Sequence, residues 1–424
     1  MPKNSSFTGT DVETTGHDIR TLFITRFTRL FAYGALSVIL VLYLTSLGLS
    51  ESKTGLLLTA TLIGDTAVSL YLTTQADRVG RRRMLIAGAL LMAAAGLVFA
   101  WTRSFLLLII AGTIGVISPS ANEVGPFLAI EQAALSHVVA DRSRTGVFAW
   151  YTLAGSFATA LGSLVGGAIA QFMQRSPTVM PVDSYRAVVV LYAVIGFLLA
   201  FLFTRLSPAA EVAQSAAGEA QKRFFGIGRR SRDVVVKLSA LFALDSFAGG
   251  FVVQSFAAYW FHLRFGTDAG SLGAIFFGAN LFAGISALLA TRLAARFGLV
   301  RTMVFTHLPS NVLLILVPLM PTLSLAIIVL LLRFSISQMD VPTRQSYVMA
   351  VVEPQERSAA AGITGVARTT GAALAPLLAG LMFAHPSLIS LPFIVAGTLK
   401  IVYDILLYKQ FIAVRPPEET THAA

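Results

Sequence analysis

The sequence predicts an all-α polytopic membrane protein of twelve transmembrane helices in two pseudo-symmetric six-helix bundles. Three observations predict it. Of 424 residues 55% are hydrophobic and only 12% charged, with mean hydropathy +0.75, so the polar coat of a soluble domain is missing. Apolar runs of about 20 residues, enough to cross a hydrocarbon core of ~30 Å, recur from Thr21 to Tyr408. One long polar interval near the midpoint, 205–237, divides these runs six and six. Strands that alternate lipid-facing and lumen-facing residues are absent, and helices satisfy their own backbone in lipid.

Taken in order, the spans fall near 20–48, 53–76, 84–102, 105–138, 146–172, 186–206, 234–262, 269–294, 302–320, 322–351, 357–384 and 387–411. They define a tail at 1–19, a first bundle at 20–206, a linker at 207–233, a second bundle at 234–411 and a tail at 412–424. The tail before the first span has no apolar run ending in a small-residue cleavage site, so no removable signal peptide is expected. The fourth span carries Pro119 and Pro126. Each removes a backbone donor, which predicts a bend or an unwound stretch around Asn122-Glu123.

Arginine placement sets the orientation. With residues 1–19 in the cytoplasm, "DRVGRRR" (77–83), "DRSR" (141–144), the 205–237 interval and Arg292, Arg296 and Arg301 are all cytoplasmic. The opposite connections hold scattered charges such as Arg103, Arg175 and Arg264. This is the positive-inside pattern, with both termini cytoplasmic in a plasma (inner) membrane. The net charge of +11 is thereby explained by orientation and anionic lipid, with no nucleic-acid partner. The chain has no cysteine, so disulfides and thiolate metal sites are excluded.

Internal repetition supports the two halves. "RTGVFAWYTLAGSFATALGSLVGG" from Arg144 aligns without a gap on "RSAAAGITGVARTTGAALAPLLAG" from Arg357, so that Gly167 meets Gly380 at a shift of 213. "DRVGRRR" has an eroded echo in "ARFGLVR" (295–301). Parallel repeats of this kind build transporters with a site between the halves.

The pattern Asp77-Arg78-x-Gly80-Arg81-Arg82 between the second and third spans resembles the signature loop of the major facilitator superfamily. The family's leading glycine is Thr73 here. "ALGSLVGG" (160–167) resembles the antiporter motif of drug exporters, with Ser163 where a proline is expected. The resemblance implies twelve helices around a central cavity lined by helices one, four, seven and ten. It also implies that Asp77 docks on the N-terminal end of helix eleven, near Arg357 and Ser358, when the cytoplasmic side is closed; a helix N-terminus favours an anion there.

Ionisable side chains inside a bilayer are costly and face the bundle interior or a wet cavity. Here they gather on Arg26 and Arg29 of span one, Glu123 and Glu131 of span four, Asp245 of span seven, and Arg333, Asp340 and Arg344 of span ten. Asp65 and Arg368 fall outside that set. Glu123 lies at mid-span beside Asn122; it either loads a proton or contacts substrate, or it forms an ion pair with Arg26 or Arg29 that only holds helices together. Glu131 maps onto Arg344 by the repeat, which predicts a gate salt bridge; the alternative partner is an arginine of 78–83. Asp65 either carries a proton or is hydrogen-bonded to Thr61 or Ser69. Asn280 and Gln254 either bind substrate or bond between helices. Trp150-Tyr151 and Tyr259-Trp260 fall at span ends and are read as interface anchors in preference to stacking platforms. His137, His262, His307 and His385, near helix ends, show no metal-ligand spacing.

There is no Walker loop, dinucleotide fingerprint or HExxH site, so neither an enzyme nor a cofactor is expected. Uphill transport then draws on an ion gradient, and a proton fits a mid-membrane carboxylate. The readings are a proton-coupled exporter of a small organic solute, acting as a monomer; an importer or uniporter of the same fold; or a receptor or scaffold without transport.

Overall fold

The structure is a computed structural model describing residues 9–139, 141–208, 211, 229–353 and 356–414. Among the described residues it is helical throughout, without strands, and eleven helices are long and apolar enough to cross a membrane. The first half contains α1 (Gly9–Ser46), α2 (Glu51–Val79), α3 (Arg81–Trp101), α4 (Phe105–Ile114), α5 (Phe127–Val138), α6 (Asp141–Gln174) and α7 (Pro181–Phe203). The second contains α8 (Arg229–Gly250), α9 (Gln254–Phe265), α10 (Ala269–Phe297), α11 (Leu299–Leu316), α12 (Leu323–Ser337), α13 (Asp340–Ala350), α14 (Arg357–Phe383) and α15 (Leu391–Phe411).

The predicted fourth span is not one helix. It divides into α4 and α5, and the 115–126 stretch between them is irregular. Pro119 and Pro126 account for the break, because neither donates a backbone hydrogen bond and each frees carbonyls one turn back. Ala121 (φ 60°) and Gly125 (φ 80°) turn the chain through left-handed backbone. Lipid cannot solvate the freed groups, so side chains of other helices satisfy them. Tyr33 of α1 donates to the Val124 carbonyl at 3.3 Å, Tyr192 of α7 to that of Val116, and Ser255 of α9 to that of Pro119 at 2.7 Å. Asp65 of α2 accepts the Gly125 amide at 2.6 Å.

Two other predicted spans are jointed more gently. Between α8 and α9, residues 251–253 leave the helix, and between α12 and α13 the joint lies at Gln338-Met339. Pro342, in the first turn of α13, cannot donate to the Gln338 carbonyl, which ends α12 there.

The halves meet closely at the end of the bundle that holds the short 47–50 and 266–268 connections. Gly55 of α2 lies against Gly380 of α14, and Gly167 of α6 against Gly273 of α10. A Cβ on Gly380 would sit 2.8 Å from the Gly55 Cα, and one on Gly167 2.8 Å from the Gly273 Cα. Gly167 and Gly380 are the residues that the repeat superposes, so both crossings depend on the same duplicated glycine. Only a residue without a side chain permits such backbone approach. Tyr259 of α9 adds a hydrogen bond to Glu51 of α2 at 2.8 Å across the same end.

At the arginine-rich end, Gly80 (φ 113°) links α2 to α3. The Arg81 and Arg82 amides donate to the linker carboxylate of Glu211 at 2.7 and 3.0 Å, so an anion does cap a helix N-terminus beside the Asp77 loop. That anion is Glu211. The side chains of Asp77 and Ser358 lie outside the described residues, and with them the predicted docking contact.

Candidate functional site

A cavity of about 470 Å³ lies between the halves, lined by Arg26, Asn122 and Glu123 from the first and by Asp245, Arg333 and Arg344 among others from the second. Charge on its walls falls into two clusters, one in each half.

The first cluster is built on α1 and the broken fourth span. Arg26 and Arg29 lie three residues apart on one face of α1. Arg26 pairs with Glu123 at 2.5 Å, and Arg29 reaches Glu123 at 3.3 Å. Arg29 also grips Glu131 with both terminal nitrogens, at 2.6 and 2.7 Å, a bidentate fork with geometry favoured by guanidinium. Glu131 is fully buried and takes further hydrogen bonds from Thr25 at 3.2 Å and from Tyr151. The Arg26 guanidinium lies 4.4 Å over the Tyr151 ring and that of Arg29 4.5 Å over Phe127. The cluster is balanced, two cations to two anions.

The predicted Glu131–Arg344 gate pair is not formed in this structure. Glu131 is held by Arg29 and Tyr151, and Arg344 binds Asp245 at 2.9 Å and Asp340 at 3.2 Å. Each half satisfies its own charge: Arg29 of α1 holds Glu131 of α5, and Asp245 of α8 holds Arg344 of α13.

The second cluster is larger. Asp245 of α8 receives Lys400 at 2.6 Å as well as Arg344, and His307 stands 3.8 Å away. His307 and Asn311 of α11 both bond Asp404 of α15 at 2.8 Å. Lys400, Asp404 and Asn311 are not among the residues that the sequence singles out. A signal existed for two of them: Lys400 and Asp404 stand four apart in the last apolar run, one turn on one face. His307 lies within α11 and is buried, not near a helix end as read from the sequence.

The anchors need correction as well. Trp150 is exposed, but Tyr151 is wholly buried on Glu131, and Tyr259 and Trp260 are buried against Phe383 and Phe393. All three face protein because their rings pack at helix contacts instead of reaching the lipid surface. Asp65 accepts from Ser69 at 3.4 Å in addition to Gly125, so its carboxylate ties α2 to the break just after Glu123. Asn280 donates to Gln254 at 3.0 Å, and Gln254 donates to Ser37 and Ser163 at 2.8 and 3.2 Å, a polar roof at the closed end of the cavity. Ser163, standing where the antiporter motif has proline, thus carries a cross-half bond.

Two pseudo-repeated halves closed over a charged cavity define the fold of a membrane transporter. The sequence matches the Major Facilitator Superfamily over residues 22–339 and 241–424, and the chain belongs to that family. It is 30% identical over 424 aligned residues, 94% of either chain, to an uncharacterized membrane protein of Saccharomyces cerevisiae. A nucleoside transporter structure matches at TM-score 0.76 and 13% identity, covering 93% of this chain and all of that one (100%). The xylose transporter XylE from E. coli, in an inward open conformation, matches at TM-score 0.68 and 16% identity, covering 92% of this chain and 96% of that one.

Proposed function

We propose that the chain is a secondary active transporter that moves a small organic solute by alternating access, coupled to protons. Twelve spans form bundles at 20–206 and 234–411, the pair α4 and α5 acting as one interrupted span. The linker 207–233 and both termini are cytoplasmic in a plasma membrane, and one chain suffices because both cavity walls come from it. The carrying observation is the charged cavity of about 470 Å³ between halves that meet on paired glycines at one end. By the positive-inside assignment the closed end is extracytoplasmic, so the cavity faces inward.

Glu123 is the coupling carboxylate in this reading. It is the least buried member of its cluster and lines the cavity, so a proton or solute reaches it, and Arg26 and Arg29 neutralise it when neither is bound. Asp65 is the second candidate, favoured by one observation: it is buried and, among the described residues, no cation pairs with it. Export is the direction suggested by the glycine-rich 160–167 segment. In the opposite state Asp77 caps the α14 N-terminus.

Proteoliposomes of both orientations, with and without a pH gradient, test this reading. The expected result is gradient-driven accumulation that Glu123→Gln abolishes while exchange persists. Loss in Asp65→Asn alone moves the proton site to Asp65, uptake only into right-side-out vesicles reverses the direction, and no movement in any arrangement leaves the receptor reading.

A further inference from the structure

The two charge clusters differ in one respect that the transport reading leaves unused. In the second half the carboxylates Asp245, Asp340 and Asp404 face the fixed cations Arg333, Arg344, Arg368 and Lys400, three against four. Arg344 and Lys400 occupy Asp245, Arg344 reaches Asp340 as well, and His307 and Asn311 occupy Asp404. Among the described residues no carboxylate lies within 4.0 Å of Arg333 or Arg368, and neither makes a hydrogen bond; Arg333 has only its stacking on the Phe334 ring at 5.0 Å. The Nε atom of each is shut away without a partner. Both side chains are half-buried and line the cavity, Arg333 from α12 and Arg368 from α14.

A guanidinium partly removed from bulk water with no anion in contact is costly. It persists where a ligand completes it, and an oxyanion matches its fork in shape and charge. The repeat sharpens the point. Arg368 aligns with Gly155 of the first half, where the bare backbone makes room for the Arg26 guanidinium that binds Glu123. The corresponding place in the second half thus carries a cation of its own, and among the described residues no glutamate meets it.

We propose that Arg333 and Arg368 form the recognition site for an anionic group of the transported solute, a carboxylate or a phosphate. This rests on the transport reading for its consequence and on the unpaired arginines for its chemistry. The polar roof of Gln254 and Asn280 bonds uncharged parts of the same solute, so the ligand class is a small hydroxylated or amide-bearing organic anion.

Binding and transport are measured separately on the full-length protein. Titration calorimetry in detergent uses succinate, citrate, glycerol 3-phosphate and inorganic phosphate, with glycerol and choline as uncharged and cationic controls. Anions are expected to bind and the controls not to. Arg333→Gln and Arg368→Gln should each loosen the anion about tenfold or more, the scale of one charged hydrogen bond, and Arg368→Lys should restore part of it by keeping the charge. A carboxylate preferred over phosphate, or the reverse, names the group, and equal binding of inorganic phosphate and organic anions limits the site to an inorganic ion and overturns the solute assignment. Unchanged anion affinity in the double glutamine variant, tighter binding of choline, or no anion bound at all overturns the site. Binding without exchange in proteoliposomes sinks the transport reading and leaves the site standing; exchange of choline unaffected by either variant does the reverse.

Discussion

The first half pairs a cation on its first span with a carboxylate on its fourth, Arg29 with Glu131; the second pairs a carboxylate on its first span with a cation on its fourth, Asp245 with Arg344. The architecture is repeated with the sign exchanged. What surrounds each pair differs more. Arg29 and Glu131 are completely enclosed, and with Arg26 and Glu123 they form a neutral set. Around Asp245 the set is cationic, and two of its arginines have no carboxylate within 4.0 Å among the described residues. A buried ion pair gains little net stability over apolar packing, yet removing one partner is severe because the other is stranded. The first cluster is therefore a helix clamp with one exposed edge at Glu123, and the second is an incomplete set to which a ligand can add.

That contrast can be broken most forcefully at Arg29. Arg29→Met strands Glu131 and weakens the hold on Glu123, and a loss of ~3–5 kcal/mol is expected, read as a large fall in melting temperature and in monodisperse yield. Removing Lys400 should cost less, because Arg344 stays on Asp245. Lys400→Met is expected to lose roughly 1–3 kcal/mol in the same assay, and a double-mutant cycle with Asp245→Asn should show coupling. Equal losses at both sites would mean that the two clusters are not different in kind.

A third change tests whether the clusters report on a state of the bundle. Gly167→Val places a side chain where the α10 backbone lies, so the closed end should open. Because the chain has no native cysteine, a single Val253→Cys can be labelled from that side; faster labelling in the valine variant is expected, and an unchanged rate would mean that the crossing is not a gate. The smallest effect is expected at the pair suggested by the repeat. Exchanging Glu131 and Arg344 should yield no rescue beyond the sum of the single variants, since each has its partners within its own half. Restored transport in the exchange variant would show that the two meet in another state.

Much of the site could be read from the chain because charge within an apolar run is conspicuous. Glu123, Arg26 and Arg29 are legible that way, and Pro119 with Pro126 marks the interruption that holds Glu123. Lys400 and Asp404 bear the same mark in the last span, outside the set of spans one, four, seven and ten that the family resemblance assigns to the cavity. His307 and Tyr151 were less legible, since a lone histidine or tyrosine in an apolar helix carries no sign of which neighbour it bonds.

The sequence by itself determined that this is a membrane-embedded helical chain, and where its apolar runs and the charges within them lie. Those properties depend on hydrophobic length and local backbone chemistry, which are one-dimensional. Only the tertiary structure decided that Glu131 belongs to Arg29, that Arg344 belongs to Asp245, that the paired glycines close one end, and that Arg333 and Arg368 have no carboxylate in contact among the described residues. An ion pair needs its atoms within about 3–4 Å, while each residue along a helix turns about 100°. Helix rotation and crossing angle therefore select the partner, and they are fixed only when all the helices have packed.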